Sequence, residues 1–158
     1  MNDFSHYSKD GDSVMVDVSD KKKTSRLAKA AGFVRMDQKT IDLIEKKMLP
    51  KGNLFEIARI AGILAAKKTA ELIPMCHPLN LEYIEVSVEL DKKNKGIEIK
   101  SEIRLEGKTG AEMEALTAVS AASLTVYDMC KAIDKKMVIE NIRLLKKFGG
   151  KSDFLLKK

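Results

Sequence analysis

The sequence has few of the residues on which disulfide-stabilised, metal-bound or RNA-binding modules depend. Among 158 residues there are two cysteines, two histidines, no tryptophan and eight aromatics, five Phe and three Tyr. Two cysteines are too few for a disulfide framework, and Cys76, His77, Cys130 and His6 follow no recognised zinc-ligand spacing. We therefore expect free thiols, no bound metal and no other cofactor.

Long apolar segments are also missing. The longest uninterrupted apolar stretches, such as residues 61–66, are far shorter than the roughly 20 residues that span a bilayer. The polar N-terminus lacks the apolar core of a signal peptide. We expect a cytoplasmic protein that does not insert into membranes.

The chain is basic. Twenty-nine Lys and Arg against twenty-three Asp and Glu leave a net charge of +6, which favours an anionic partner such as phosphate groups or nucleic acid. Charge alone does not choose between these partners, because most lysines lie on a solvated surface. A chain of this length buries roughly 70% of the surface that its unfolded form exposes, which is enough for one domain.

Alternating apolar and polar residues predict an antiparallel hairpin. Apolar residues recur with a period of two over 81–90 and again over 97–105, and the turn-rich segment 92–96 separates the two runs. Three further strands are predicted from shorter runs, at residues 14–18, 33–35 and 138–146.

Capping and breaker residues predict three helices. Asp37 can cap a helix over 38–48, and Asn53 can cap a second helix that reaches about residue 68. Thr109 is followed three residues later by Glu112, the capping-box spacing, and predicts a third helix to about residue 131 or 132. The alanine-rich faces of the second and third helices pack either on the sheet or on another subunit.

The order strand, helices, strand, strand, helix, strand matches a ferredoxin-like arrangement. We therefore predict an α+β fold in which an antiparallel sheet packs against helices. The expected organisation is a flexible N-terminal arm at 1–13, one catalytic domain at 14–152 and a flexible tail at 153–158.

A loop between two prolines carries a thiol and an imidazole. Cys76 and His77 lie between Pro74 and Pro78, which restrict the backbone and so hold side chains in place. A histidine there can donate and accept hydrogen bonds near neutral pH, although a structural hydrogen bond is the alternative.

Charged residues on the third helix are candidates for proton transfer. Asp128 and Lys131 share a face, where they form a surface ion pair or exchange a proton with a substrate. Glu112 has the capping role, whereas Glu114 opens the helix where backbone amides favour an anion. Lys51, ahead of the second helix, either meets a phosphate or lies in solvent.

Residues 150–152, Gly-Lys-Ser, imitate the end of a phosphate-binding P-loop. We reject that motif, because Leu145 stands where a glycine is required and six residues after Ser152 cannot form the helix. Arg26 can offer two parallel hydrogen bonds to a phosphate, but its position alone is not specific.

Several segments together resemble one family. They include KTGAEMEALT at 108–117 and LTVYDMCKA at 124–132, and the others are residues 15–21, 58–62 and 72–79. The chain resembles the cyclic pyranopterin monophosphate synthases, the accessory proteins of molybdenum-cofactor biosynthesis, over about residues 15–152. Lys22 and Lys23 depart from the less basic residues common in the family, a difference that concerns surface charge.

The resemblance implies a lyase that converts 3′,8-cyclo-7,8-dihydro-GTP into cyclic pyranopterin monophosphate and releases diphosphate. It implies a ferredoxin-like subunit in a homohexamer, a trimer of dimers, with this nucleotide triphosphate as its small-molecule partner. It places Asp128 and Lys131 at the catalytic centre, assisted by Lys51. Five residues are implied to bind substrate: Met75, Cys76, His77, Met113 and Glu114.

Helix geometry adds a prediction about how the site is built. Asp128 follows Glu114 by fourteen residues, so the two lie about 21 Å apart on an unbroken helix and point to roughly the same side. If both serve one reaction, a neighbouring subunit brings one end close to the other. The alternative is a triphosphate that stretches along the helix within one chain.

Two other functions compete with the enzyme. A ferredoxin-like sheet with positive charge also describes a common RNA-binding domain, but Tyr83 has no aromatic partner of the RNA-recognition type, and we expect no nucleic-acid partner. A non-catalytic ligand-sensing domain would leave Asp128 and Lys131 without a purpose.

Overall fold

The computed structural model describes residues 12–49 and 51–157. The predicted arm at 1–13 falls outside these residues except for its last two positions. The predicted strand at 14–18 is wrong: Ser13 forms an isolated bridge and the following five residues are irregular. Val16 and Val18 in this irregular segment line a cavity.

Within residues 12–49 and 51–157, five strands form the sheet. They are β1 (Thr24–Arg35), β2 (Tyr83–Asp91), β3 (Gly96–Gly107), β4 (Val138–Phe148) and β5 (Phe154–Leu155). Their order is β2-β3-β1-β4-β5, and every neighbouring pair is antiparallel. The strand β5 pairs with Lys146 and Lys147 and lies in the segment 153–158, which the sequence predicts as a flexible tail.

In the described part of the chain, four helices pack on this sheet. They are α1 (Gln38–Glu45), α2 (Leu54–Lys67), α3 (Thr69–Leu72) and α4 (Glu112–Cys130). The predicted α+β class is confirmed, and the strand order is compatible with a ferredoxin-like arrangement. No helix within the described ranges is long and apolar enough to cross a membrane.

The helix ends show where capping was predicted well and where it was not. The Asn53 side chain accepts a hydrogen bond from the Glu56 amide, which confirms the cap of α2. The capping box at Thr109 is wrong: Ala111 precedes the first turn of α4, and the Thr109 hydroxyl donates to the Gly110 carbonyl. Helix α1 ends before the predicted residue 48, and Lys47 then takes a positive φ of 55°.

Strand β1 is much longer than the predicted 33–35, because packing outweighs the low strand propensity of its small residues. It is the central strand, and Ala28 and Ala30 on it are fully buried. A Cβ added to Gly32 would come within 2.7 Å of Val119 Cγ1 on α4. Small side chains therefore let α4 lie close to the middle of the sheet.

The core lies between the sheet and helices α2 and α4. Ile97, Ile99 and Ile103 of β3 are fully buried there. Small residues also bring the two helices together, since a Cβ on Gly62 would lie 2.9 Å from the Ala118 carbonyl oxygen. The alanine-rich faces thus pack partly on each other, and α4 is held along its whole length.

Candidate active site

A cavity of about 510 Å³ opens at the N-terminal end of α4. All five residues predicted to bind substrate line it: Met75, Cys76, His77, Met113 and Glu114. We call it the large cavity. Its size lies in the range of roughly 300–1,000 Å³ that is usual for small-molecule sites.

A tight turn presents one side of the large cavity. The Cys76 amide donates to the Ile73 carbonyl at 3.1 Å, which closes a turn around Pro74 and Met75. The Ile73 amide in turn donates to the Thr69 carbonyl of α3 at 2.9 Å. Proline and α3 together fix the loop that carries the thiol and the imidazole against the first turn of α4.

Glu114 is the buried acid of the large cavity. Its residue is 4% exposed, and burial, with a smaller contribution from Glu112, raises the pKa of its carboxyl to about 7. Burial and the nearby Glu114 also raise the pKa of the Cys76 thiol. At neutral pH Glu114 can therefore both donate and accept a proton.

We expect Glu114→Gln to change how stability depends on pH. The folded chain keeps a proton on Glu114 up to about pH 7, whereas the unfolded chain releases it near pH 4.5. The wild type therefore loses free energy of unfolding as the pH rises between those two values. Between pH 4.5 and 8 the free energy of unfolding of the variant should therefore rise by roughly 3 kcal/mol relative to that of the wild type. Urea unfolding across that range measures it.

The exposed Glu106 on β3 provides the control, because Glu106→Gln removes a carboxyl without removing a buried one. The difference in the free energy of unfolding between Glu106→Gln and the wild type should stay nearly constant with pH. Parallel curves for Glu114→Gln and the wild type would contradict the raised pKa.

The three predicted catalytic residues form a second group at the other end of α4, the Asp128 cluster. Lys131 Nζ lies 2.6 Å from one carboxylate oxygen of Asp128, and Lys51 Nζ lies 2.7 Å from the other. Lys51 also donates to the Asp128 carbonyl at 3.0 Å. All three side chains are about half exposed, so a ligand can reach them.

The two lysines set the charge state of the Asp128 cluster. Hydrogen bonds from Lys131 and then Lys51 lower the pKa of Asp128 to about 2, and the same Asp128 bond raises the pKa of Lys131. At neutral pH the cluster presents one carboxylate that can accept a proton beside ammonium groups that can donate one. Two ammonium groups beside one carboxylate leave a net positive charge, which can stabilise a developing negative charge.

The large cavity and the Asp128 cluster do not meet within one chain. Helix α4 is unbroken from Glu112 to Cys130, so Glu114 and Asp128 lie about 21 Å apart along it. The sequence predicted that Glu114 and Asp128 lie at opposite ends of one unbroken helix, and α4 has this geometry.

A smaller cavity adjoins the large one and was missed from the sequence. We call it the basic cavity; its lining includes Lys21, Arg26, Lys108, Lys147 and Lys151. Of these five residues, only Arg26 was considered for a phosphate from the sequence. The flanking Gly149 and Gly150 were the available signal, because a glycine pair allows a close backbone approach.

The described ranges, 12–49 and 51–157, contain no group of three or more His, Cys, Asp or Glu side chains placed to hold a metal. Cys76 is half-buried and Cys130 is buried, and neither forms a disulfide.

Comparison with known proteins agrees with the resemblance seen in the motifs. A cyclic pyranopterin monophosphate synthase from Desulfatibacillum aliphaticivorans is 56% identical over 152 residues, which cover 96% of each chain. Another from Clostridium botulinum (strain Alaska E43 / Type E3) is 50% identical over 155 residues, 98% of each chain. The MoaC family model matches residues 15–150. The chain described here belongs to the MoaC family.

Proposed function

We propose that this chain is a cyclic pyranopterin monophosphate synthase, a lyase of molybdenum-cofactor biosynthesis. It converts 3′,8-cyclo-7,8-dihydro-GTP into cyclic pyranopterin monophosphate and releases diphosphate. The observation that carries the assignment is the near full-length likeness to relatives of that name. The gathering of all five expected binding residues in the large cavity supports it.

In this proposal the large cavity holds the pterin-like ring. His77 and Glu114 bind its polar edge. An imidazole can donate and accept hydrogen bonds, and the Glu114 carboxyl, whose pKa is about 7, can do the same. Met75, Cys76 and Met113 cover its apolar surface.

The Asp128 cluster performs the proton transfers. Rearranging a cyclised purine requires a proton acceptor and a proton donor, and Asp128 and Lys131 are held in those two charge states. Lys51 adds a second positive charge at the same carboxylate. Forming a cyclic phosphate places negative charge on departing diphosphate, which nearby ammonium groups stabilise.

The complete site is built from two chains. The separation of about 21 Å along α4 supports this arrangement, because one small substrate cannot easily contact both ends. Apolar side chains on the outer face of α2, Ile57, Ile60 and Leu64, are 42–54% exposed and offer a surface for subunit contact. We propose a homohexamer made of three such dimers, located in the cytoplasm.

The direct test is to incubate the purified protein with 3′,8-cyclo-7,8-dihydro-GTP. We expect stoichiometric diphosphate together with the cyclic phosphate product, because the proposed lyase forms both in one reaction. Enzymatic detection of diphosphate and mass spectrometry of the product measure the two. Substrate that stays unchanged in the presence of folded protein would refute the proposed activity.

The same preparation tests the RNA-binding alternative. The open face of the sheet carries Tyr83 beneath the Arg104 guanidinium, and charged residues of both signs around it, including Lys100 and Glu98. Such a face lacks the stacked aromatics of RNA-recognition sheets. Sub-micromolar RNA binding at physiological salt, without diphosphate release, would favour the alternative.

A further inference from the structure

Asp134, in the connection between α4 and β4, is a buried acid that the proposed reaction does not use. It is 5% exposed, and a buried carboxylate is costly unless hydrogen bonds satisfy it. Its Oδ2 accepts from the Asp37 amide and its Oδ1 accepts from the Lys136 amide, each at 2.9 Å. The Thr40 hydroxyl adds a longer contact of 3.5 Å to Oδ2. The carboxylate thus joins the connection after α4 to the start of α1, 97 residues earlier in the sequence.

On one side Asp134 closes the turn that carries Lys131. The Asp134 and Ile133 amides both donate to the Cys130 carbonyl, at 3.0 and 2.9 Å. The Lys131 amide donates to the Tyr127 carbonyl at 2.8 Å and so continues the hydrogen bonding of α4. Asp134 is therefore fixed three residues after a member of the Asp128 cluster.

On the other side Asp134 holds the beginning of α1, the helix that leads to Lys51. Asp37 precedes the first turn of α1, and its own side chain makes no capping hydrogen bond. Helix α1 ends at Glu45, six residues before Lys51. Because a short helix moves as a rigid unit, a shift at its start also shifts the segment that follows its end.

A buried thiol shows that Asp134 also lies close to the Asp128 cluster. Cys130 is fully buried, and burial together with the nearby Asp134 raises the pKa of its thiol to about 11. The Lys51 ammonium acts on the same thiol in the opposite direction. The Asp134 carboxylate and the Lys51 ammonium therefore lie on either side of one buried side chain of α4.

We propose that Asp134 is a positioning residue, which keeps the segment of Lys51 aligned with the turn of Lys131 so that both ammonium groups meet the Asp128 carboxylate. This inference rests on the proposed function and adds to it a residue that acts through Lys51 without touching the substrate. Lys51 Nζ lies 2.7 Å from Asp128 Oδ2, and a displacement of about 1 Å in such a site can cost on the order of 10²-fold in rate. The alternative is that Asp134 only stabilises the fold.

Asp134→Asn tests the proposal with little change in shape. The amide has one acceptor oxygen and one NH₂ group, so in either orientation a donor faces the backbone amide of Asp37 or of Lys136. We expect kcat for diphosphate release to fall about 10-fold. KM should change less than about 2-fold, because the ring binds in the large cavity at the other end of α4. Asp91→Asn is the matched control: this exposed carboxylate also accepts a backbone hydrogen bond, at the end of β2, and its loss should leave kcat within about 2-fold.

A double-mutant cycle with Lys51→Gln separates positioning from stability. If Asp134 acts through Lys51, adding Asp134→Asn to the Lys51→Gln chain should lower kcat less than about 2-fold further, since the group that it positions is gone. A role in stability alone predicts the same fractional loss of kcat in both backgrounds. That additive result would overturn the proposal.

Hydrogen exchange followed by mass spectrometry tests the same positioning without any activity. In folded Asp134→Asn the amides from α1 to Lys51 should exchange about 10-fold faster than in the wild type, with no change in residues 72–79 of the large cavity. Thr40→Val removes only the longer contact to the same carboxylate, so it should give a smaller change in the same segment and provides a second variant if Asp134→Asn does not fold.

Unchanged exchange from α1 to Lys51, or equally faster exchange throughout the chain, would overturn the positioning role of Asp134. Failure of the proposed function looks different. The wild type would then release no diphosphate from the cyclised nucleotide, while the local difference in exchange between Asp134→Asn and the wild type would remain.

Discussion

Two inactive chains, Asp128→Ala and Glu114→Ala, should recover activity when they are mixed. Alone, each variant is expected to lose about 10²-fold or more of its activity, because each lacks a group that transfers or positions a proton. In a mixed dimer one site contains both substitutions and the other contains neither. Equal mixing should therefore restore about a quarter of wild-type activity, since half of the dimers are mixed and each has one intact site.

The matched control mixes Asp128→Ala with Lys131→Ala. Both substitutions fall in the Asp128 cluster, so each site of that mixed dimer is still damaged and no recovery is expected. Diphosphate release measures activity, and mass spectrometry verifies the mixed dimers. Verified Asp128→Ala and Glu114→Ala dimers that remain inactive would favour a triphosphate stretched along one chain.

Replacing Gly149 with alanine should cost much of the stability of the fold. Gly149 has φ of +89°, and an added Cβ would overlap the Ser25 carbonyl oxygen on β1. Its own carbonyl accepts a hydrogen bond from the Thr24 hydroxyl at 2.8 Å, so the turn cannot easily move away. We expect a loss of about 2–4 kcal/mol from backbone strain and overpacking together.

Gly52 separates the two causes of this loss. It has the same φ of +89°, but nothing lies within 4 Å of an added Cβ. Gly52→Ala should therefore cost only the backbone strain, about 1–2 kcal/mol. Urea unfolding at equal protein concentration compares the variants, and equal losses would show that the contact with Ser25 adds nothing.

Much of the fold was predictable wherever local chemistry and packing favour the same structure. The period of two over β2 and β3 reflects one buried face, and Asn53 caps α2 through its own side chain. Strand β1 was predicted as three residues because its alanines and Gly32 resemble no strand sequence. These small residues are needed because α4, about ninety residues later in the sequence, packs directly against them.

The candidate site shows the same division. Residues 75–77 and 113–114 lie in contiguous motifs, and one cavity contains them all. Lys51 and Asp128 are 77 residues apart, and the resemblance rather than the spacing connected them. The basic cavity was missed because strand pairing brings together Lys21, Lys108 and Lys151, and no pattern in the sequence records that pairing.

The continuous helix α4 fixes a rotational phase between its two ends as well as a distance. Inserting or deleting one residue between Glu114 and Asp128 would turn one end by about 100° relative to the other and shift it by about 1.5 Å. The core contacts of Ala118, Val119 and Ala122 would fall out of register with the sheet at the same time. We therefore expect α4 to tolerate substitutions at its exposed positions better than changes in its length. An insertion that restored the rotational phase would need about seven residues, which make two full turns.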